Sequence, residues 1–362
     1  MTCHVDLLDI GFDLEAECSE DIAYIGAFMD AYLEPSRLPC SERFTVKVQR
    51  ESVPVIPLPG SVIPIHRTKH PYWSFDGVLE HVRPRTVAWP SRGVRFEVDS
   101  ERRHIVAAIG SDTDSVMAGE AVFHAMRGIA LACRRTGSLI HASAVVSNGR
   151  AIAFSGDVMA GKTTLLAEAA FRLGLSPLTN DRLLIADSGG ACLSHSWPSY
   201  ASFCEGTLLN FPALARAAQA YEEGHGGYTT VRWPAPLRPV FNKTCKRFYP
   251  MRWLVDAGVP CFAASAPLHA VVFVRLIPGA GEATWELIES NALSQQLRAV
   301  LFPPSDHSFL PWHGLGPNSV LADPDGLAGL LIGHSVSAWR LSIPIDLADF
   351  PSFLDEVFTH EA

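Results

Sequence analysis

Residues 156–163 read Gly-Asp-Val-Met-Ala-Gly-Lys-Thr, which matches the phosphate-binding loop pattern G-x-x-x-x-G-K-[ST] at every fixed position. The apolar run 151–154 before the loop predicts a buried strand, and residues 164–171 after it predict a helix with leucine and alanine on one face. Glycine at both ends lets the loop curl so that its N–H groups point inward, and the helix N-terminus adds partial positive charge. This order predicts an α/β fold that binds a polyphosphate.

The loop residues have separate expected roles. Lys162 is expected to reach the β- and γ-phosphates of a nucleoside triphosphate, and the Thr163 hydroxyl to ligate Mg²⁺. Asp157 is expected to cap the loop itself. Only five lysines occur in the chain, so a lysine at this position is not background. The predicted nucleotide-binding residues are Gly156, Asp157, Val158, Met159, Ala160, Gly161, Lys162, Thr163 and Thr164.

Composition and charge exclude several classes of protein. A chain of 362 residues forms one large domain or two ordinary ones, and its 48% hydrophobic and 19% charged residues allow a large buried core. The net charge of −9 argues against a nucleic-acid surface, which needs clustered positive charge. The chain shows no long apolar run and no signal-peptide pattern, and its eight cysteines form no C-x-x-C pair. We therefore expect a cytoplasmic protein with no membrane or nucleic-acid partner.

Hydrophobic periodicity and turn residues predict the order of elements before the loop. The predicted elements are a helix at 21–32, a strand at 44–49, a proline-rich connector at 53–60, a hairpin of strands 94–98 and 104–109, and a helix at 114–135. A strand at 138–146 then turns at Asn148-Gly149 into the strand of the loop. An antiparallel hairpin at this point differs from the usual doubly wound pattern, in which parallel strands flank the loop strand.

Four further strands and a helix are predicted after the loop helix. Residues 183–187 and 191–193 form a predicted hairpin around a Gly-Gly turn, and residues 268–276 are the longest candidate for a buried strand. Residues 294–301 predict a helix, and residues 335–342 predict a late strand.

Three motifs in this order resemble the HPr kinase/phosphorylase family and its wider group of related kinases. They are the His-x-Ser strand at 140–145, the phosphate loop, and the acidic turn Leu-Thr-Asn-Asp-Arg at 178–182. The resemblance extends over about residues 110–345. It implies an α/β, HPr-kinase-like P-loop fold with a mixed, twisted sheet over residues 106–362. Residues 1–105, which the resemblance does not explain, are predicted to form an N-terminal α+β accessory region.

The resemblance also implies a reaction. Members of this group use ATP and Mg²⁺ to phosphorylate serine on a protein, on a peptide or on a small molecule, and they commonly form oligomers. It therefore implies a kinase acting on a serine or threonine hydroxyl of a peptide or protein, and a homo-oligomer. In the family the acidic turn carries two consecutive aspartates for metal binding and acceptor activation, whereas this chain has Asn180 and then Asp181.

The chemistry of phosphoryl transfer gives roles to residues outside the loop. Asp181 is the predicted proton acceptor and, with Thr163, a predicted metal ligand; the alternative is a turn-forming aspartate. His141 is predicted to face the γ-phosphate or the acceptor, and Asn180 to orient either the acceptor or a metal-bound water. A basic segment at 232–252 is predicted either to bind phosphate or an acidic peptide, or to be a solvated loop. Its candidate residues are Lys243, Lys246 and Arg247.

Two other functions remain open at this point. One is a small-molecule kinase of the same fold, acting on an amino acid or a natural-product hydroxyl. The other is a nucleotide-binding regulatory protein without turnover, an interpretation that Asn180 keeps open. The sequence fixes neither the acceptor nor the donor among ATP, GTP and pyrophosphate, because the loop contacts only phosphates.

Overall fold

In a computed structural model of the chain, the described residues divide into two compact units. The first unit contains the described residues up to 134 together with 312–315, and the second contains those of 137–302 and 323–360. The structure describes residues 2–29, 40–66, 75–82, 84–134, 137–224, 236–241, 245–259, 261–277, 281–302, 312–315 and 323–360.

The first unit is built on a mixed sheet of eight strands. The strand order is β1-β2-β3-β8-β7-β6-β5-β4, in which β3 pairs in parallel with β2 and β8 and the other neighbours are antiparallel. The strands are β1 Thr2–Leu7, β2 Ile10–Ala16, β3 Glu42–Arg50, β4 Gly60–His66, β5 Phe75–Glu80, β6 Arg85–Trp89, β7 Val94–Asp99 and β8 His104–Ile109, and the helices are α1 Glu20–Met29 and α2 Ser115–Cys133.

Most sequence predictions for this unit are confirmed. The strand at 44–49 lies within β3, the hairpin is β7–β8, and the helix at 114–135 is α2. Asp114 caps α2 by accepting a hydrogen bond from the Met117 N–H at 2.8 Å. The predicted helix at 21–32 corresponds to α1, and residues 30–32 lie outside the described ranges. The division expected at residue 105 falls inside β8, which is hydrogen-bonded on both edges, so the chain divides after α2 instead.

Helix α2 has the length and mean hydropathy of a membrane span, and it is the one such helix in the described part of the chain. In its most apolar window 56% of the helix is buried within the structure, as is typical of a core helix. Its apolar character is therefore accounted for by packing.

The second unit contains a second mixed sheet of eight strands and a two-stranded ribbon. Its elements are β9 Ser138–Ser147, β10 Arg150–Ser155, α3 Lys162–Ala167, β11 Ser176–Thr179, β12 Arg182–Asp187, β13 Cys192–Ser196, β14 Ala201–Cys204, α4 Glu205–Asn210, α5 Pro212–Gly224, β15 Lys246–Tyr249, α6 Met251–Asp256, β16 Ser265–Ile277, β17 Thr284–Leu287, α7 Ser290–Val300, α8 Pro324–Gly333, β18 Ser337–Pro344 and α9 Phe350–Thr359. The long strands β9 and β16 each pair with several neighbours, and β14 pairs with β15.

Strand β10, which leads into the phosphate loop, lies between β9 and β16. It is antiparallel to β9 and parallel to β16, which is in turn parallel to β18. Ile152 and Phe154 face one apolar core with α3 and α9, whereas Ala151 and Ala153 face the other core with α7 and α8. Because both faces of β10 are apolar and each packs against a core, the strand is buried in the middle of the unit. The structure is therefore an α/β protein with mixed sheets.

The predicted hairpin before the loop is confirmed. Asn148 and Gly149 have φ angles of +51° and +73° and join β9 to β10, as expected for an Asn-Gly turn. The helix expected at 164–171 is regular only as α3, because residues 168–172 form a π-helical turn. The strand predicted at 268–276 is β16, and its parallel pairing with β10 was not predicted.

Candidate functional site

The phosphate loop connects β10 to α3 and is attached to the end of β16. Gly156 and Gly161 have φ angles of +141° and +104°, a region that favours glycine. A Cβ atom at Gly161 would lie 2.3 Å from Leu276 Cγ, and one at Gly156 would lie 2.8 Å from the Val274 carbonyl oxygen. The Leu276 N–H donates a 3.0 Å hydrogen bond to the Ala160 carbonyl. Both glycines are therefore required by conformation and by close approach.

We expect the Gly161→Ala substitution to destabilise the protein by about 1–3 kcal/mol, because alanine is strained at this φ and its methyl group collides with Leu276. Nucleotide affinity is expected to fall as well, since the loop must shift. Gly190→Ala is the matched control: nothing lies within 4 Å of its Cβ position. Urea unfolding and ATP titration of both variants check this expectation, and equal behaviour of the two would contradict it.

Lys162 is the first residue of α3, and its ammonium group is folded against the loop. Its Nζ donates to the carbonyl oxygens of Gly156 and Asp157, both at 2.8 Å, and the residue is only 6% exposed. Burial lowers the pKa of Lys162 to about 8; the charge of Asp181 opposes this shift and that of Lys246 adds to it. The ammonium group is thus already inside the loop, where a phosphate would replace its carbonyl partners.

Strand β9 contacts the loop directly. The Ser143 hydroxyl donates a 2.8 Å hydrogen bond to the Lys162 carbonyl, and the Ser155 hydroxyl donates a 3.0 Å bond to the His141 carbonyl. Ser143 is fully buried. Sequence reasoning singled out only the histidine of the His-x-Ser motif, although a serine at a buried strand position needs a hydrogen-bond partner and could have pointed to this contact.

Asp181 precedes β12, the strand that pairs with β9 on the side of His141. His141 Nε2 lies 3.3 Å from Asp181 Oδ1, and Arg182 Nε lies 3.7 Å from Oδ2. Burial alone would raise the pKa of Asp181, but the hydrogen bond from His141 and the positive charges of Arg182 and Lys246 hold it well below its ordinary value. The carboxylate therefore stays ionised across the physiological pH range, and its side chain is 42% exposed.

Asn180 is buried beside Asp181 and is incompletely satisfied. The residue is 2% exposed, and its amide nitrogen donates a long 3.5 Å hydrogen bond to the Tyr200 carbonyl. Its Oδ1 atom has no hydrogen-bond partner within the described structure. A buried carbonyl oxygen without a donor is costly, so it marks a place where a ligand, water or ion is needed.

The ribbon of β14 and β15 contains residues 246–249 of the basic segment. Cys204 Sγ lies 4.0 Å from Met159 Sδ in the loop, and Lys246 pairs with Cys204 across the ribbon. Arg247 is instead 1% exposed and forms an ion pair with Glu205 at 3.2 Å, so its guanidinium is used inside the protein. Lys243 lies outside the described residues.

The remaining loop positions differ in exposure. Val158 and Met159 are 57% and 39% exposed at the tip of the loop, and Thr163 is partly exposed. Thr164 is buried, and its hydroxyl lies 3.5 Å from that of Thr207 on α4. Thr163 is therefore accessible to a ligand, whereas the Thr164 side chain packs α3 against α4.

The second unit contains the loop, His141, Asn180, Asp181 and Lys246; His141 contacts Asp181, and the charges of Asp181 and Lys246 act on Lys162 in the loop. Comparisons with known proteins identify no family for this geometry: no protein-family model matches the chain, and no curated protein matches it. The resemblance to HPr kinases therefore rests on the motifs themselves, and the activity it implies is a proposal.

Proposed function

We propose that this protein is an HPr-kinase-like, Mg²⁺-dependent phosphotransferase that uses ATP to phosphorylate a serine or threonine hydroxyl of a peptide or protein. The observation that supports it most is an ionised, partly exposed carboxylate, Asp181, beside a phosphate loop whose lysine is buried and carries a lowered pKa. Neighbouring strands hold the two, because β9 pairs with β10 on one side and with β12 on the other. Perturbed titratable groups at a phosphate loop are typical of catalytic sites.

In the proposed reaction the acceptor's hydroxyl oxygen forms a bond to the γ-phosphorus, while the bond from that phosphorus to the β–γ bridging oxygen breaks. ADP leaves with the electron pair of the broken bond, and the hydroxyl proton passes to Asp181. Positioning and charge neutralisation dominate this chemistry, so a carboxylate of low basicity is sufficient. Lys162 would neutralise the phosphates, and His141 would orient the carboxylate through Oδ1.

The residues present fit a magnesium ion. Mg²⁺ prefers oxygen donors and is held by one or two carboxylates together with substrate phosphates. Thr163 and Asp181 would hold it, and the buried Oδ1 of Asn180, the residue before Asp181, is a further oxygen donor without a hydrogen-bond partner in the described structure. When bound, the ion would neutralise charge on the β- and γ-phosphates. The described residues contain no group of three or more His, Cys, Asp or Glu side chains that could hold a metal ion by themselves.

An acceptor comparison tests the proposed function. The protein is incubated with Mg²⁺ and γ-phosphate-labelled ATP, once with a serine- and threonine-containing peptide library and once with free amino acids and small alcohols. We expect label on peptide hydroxyls. Label confined to the small molecules would instead support a small-molecule kinase, and bound ATP that stays intact in both arms would support a regulatory protein without turnover.

The lowered pKa of Lys162 predicts a pH dependence of ATP binding. The phosphates of bound ATP favour the charged form of Lys162, so the pKa of Lys162 rises on binding. At pH values above the free-protein pKa of about 8, ATP binding is therefore accompanied by uptake of a proton. Affinity should be constant below pH 8 and should fall by up to about tenfold per pH unit above it. Lys162→Arg should remove this slope, because arginine stays charged. Calorimetry in buffers of different ionisation enthalpy counts the protons; no uptake at pH 9 would contradict the assignment.

A further inference from the structure

The two faces of the β14–β15 ribbon have different environments. Opposite residues in an antiparallel pair share a face, and successive residues alternate. Cys204 and Lys246 are opposite each other, as are Ser202 and Phe248, so these four residues form one face. Cys204 on this face contacts Met159 of the phosphate loop. The Lys246 side chain therefore leaves the ribbon on the face that contacts the phosphate loop.

The other face of the ribbon is closed by a buried ion pair. Arg247 pairs with Phe203 across the ribbon, and both are almost completely buried. The guanidinium of Arg247 donates to Glu205 Oε1 at 3.2–3.3 Å, and the main chain and side chain of Arg238 donate to Glu205 Oε2 at 3.0–3.1 Å. Glu205 is 2% exposed, and this set of donors holds the pKa of its carboxyl below its usual value although burial opposes the shift.

This ion pair fixes the ribbon relative to the loop. Glu205 begins α4, and Thr207 on the same helix lies beside Thr164 of α3. Arg247 is the neighbour of Lys246 in β15, so a bond that holds Arg247 also limits the backbone from which Lys246 projects. Because a buried charge pair needs matched geometry, it specifies one arrangement of the ribbon.

We propose that Lys246 is a second catalytic cation for the transferred phosphoryl group, and that Glu205 and Arg247 are positioning residues that hold Lys246 on the loop side of the ribbon. This proposal rests on the proposed function. Lys162 reaches the phosphates from the loop, and Lys246 would reach the γ-phosphoryl group from the ribbon. Its side chain leaves the ribbon on the same face as Cys204, whose Sγ atom lies 4.0 Å from Met159 Sδ of the loop. A cation placed where charge develops lowers the barrier of the chemical step.

Lys246→Met tests this proposal through two measurements on the full-length protein. Titration with a non-hydrolysable ATP analogue and with ADP should show weaker binding of the analogue by about 3- to 10-fold and of ADP by less than twofold, because ADP lacks the γ-phosphoryl group. Turnover should fall by about 100-fold, and Lys246→Arg should restore part of it. Lys47→Met, an exposed lysine on β3 of the first unit, is the matched control and should change neither. Equal loss of both affinities, or unchanged turnover, would overturn the role of Lys246.

The positioning role is tested with the buried pair replaced by apolar residues, Glu205→Leu with Arg247→Met, since such a replacement preserves the fold better than loss of one charge. If the pair acts through Lys246, this double variant should lose as much preference for the ATP analogue over ADP as Lys246→Met does. Adding Lys246→Met to the double variant should then change that preference by less than twofold. If the losses caused by Lys246→Met and by the double variant are fully additive in a folded protein, the positioning role of Glu205 and Arg247 is overturned. If the wild-type protein binds ATP without turning it over, the proposed function is overturned. The contact of Lys246 with the γ-phosphoryl group can still be tested in that case, because the comparison of the analogue with ADP measures binding only.

Discussion

Lys162→Met is expected to abolish measurable ATP binding and turnover while making the ligand-free protein more stable. The loop loses the cation that neutralises the β- and γ-phosphates, which should weaken binding by at least about 100-fold. The folded state loses a buried ammonium group whose partners in the described structure are two carbonyl oxygens. At pH 7 this should raise the free energy of unfolding by about 1–3 kcal/mol, because the lowered pKa measures how strongly the fold disfavours the charge.

The sign of this stability effect can be checked against pH. The pKa of Lys162 is about 8 in the folded state and 10.5 ordinarily, so the unfolded state binds more protons between these values. Wild-type stability should therefore rise between pH 8 and pH 10.5, and the variant should lack this rise. Calorimetric titration with ATP and urea unfolding at several pH values measure both effects. A variant that binds ATP as tightly as the wild type would refute the assignment of the loop.

Asp181→Asn is expected to retain nucleotide binding but to lose phosphoryl transfer by about 10²- to 10⁴-fold, because an amide cannot accept the hydroxyl proton. Affinity for metal-free ATP should change by less than about threefold, since the phosphates bind the loop. The variant should also lose a pH-dependent part of its stability. The folded-state pKa of Asp181 is depressed, so its contribution is present above the ordinary value near 3.8 and is lost as pH falls below it.

Asp187→Asn is the matched control for this substitution. Asp187 lies at the other end of β12, is 53% exposed and pairs with His334 at 3.2 Å. The same chemical change there should leave turnover within about twofold, since exposed ion pairs contribute little. If both variants lose activity equally, or if Asp181→Asn keeps it, Asp181 is not the proton acceptor. Initial rates at saturating ATP and a fixed acceptor concentration decide between these results.

The local parts of the fold could be predicted from the sequence because each carries its own signal. The Asn148-Gly149 turn has the residues that a left-handed conformation favours, and α2 begins with a capping aspartate. The β1–β2 hairpin was missed because it turns at Leu8 and Asp9, whose φ angles of +60° and +86° are not suggested by a leucine. The parallel pairing of β10 with β16 joins strands more than 100 residues apart, and no local pattern specifies such a partner.

The geometry of the candidate site could also be predicted only in part. Lys162 and Thr163 follow from a motif whose mechanism is known, and the pairing of β9 with β12 brings His141 within 3.3 Å of Asp181. Lys246 and Arg247 look alike in the sequence, but strand alternation places them on opposite faces of the ribbon. Only the structure distinguishes the buried arginine from the lysine on the loop face, because charge alone does not reveal which neighbour in β15 has a buried partner.

The most direct test of the central claim is the stoichiometry of ATP consumption and acceptor phosphorylation. Wild-type protein and Asp181→Asn, each saturated with Mg²⁺ and ATP, are incubated with the serine and threonine peptide library, and ADP and phosphopeptide are quantified by mass spectrometry. We predict one phosphorylated hydroxyl for each ADP formed by the wild type, and formation of both products at least about 100-fold more slowly by the variant at equal ATP occupancy. Bound ATP that the wild type leaves unchanged, or equal rates from the two proteins, would contradict a phosphotransferase centre formed by the loop and Asp181.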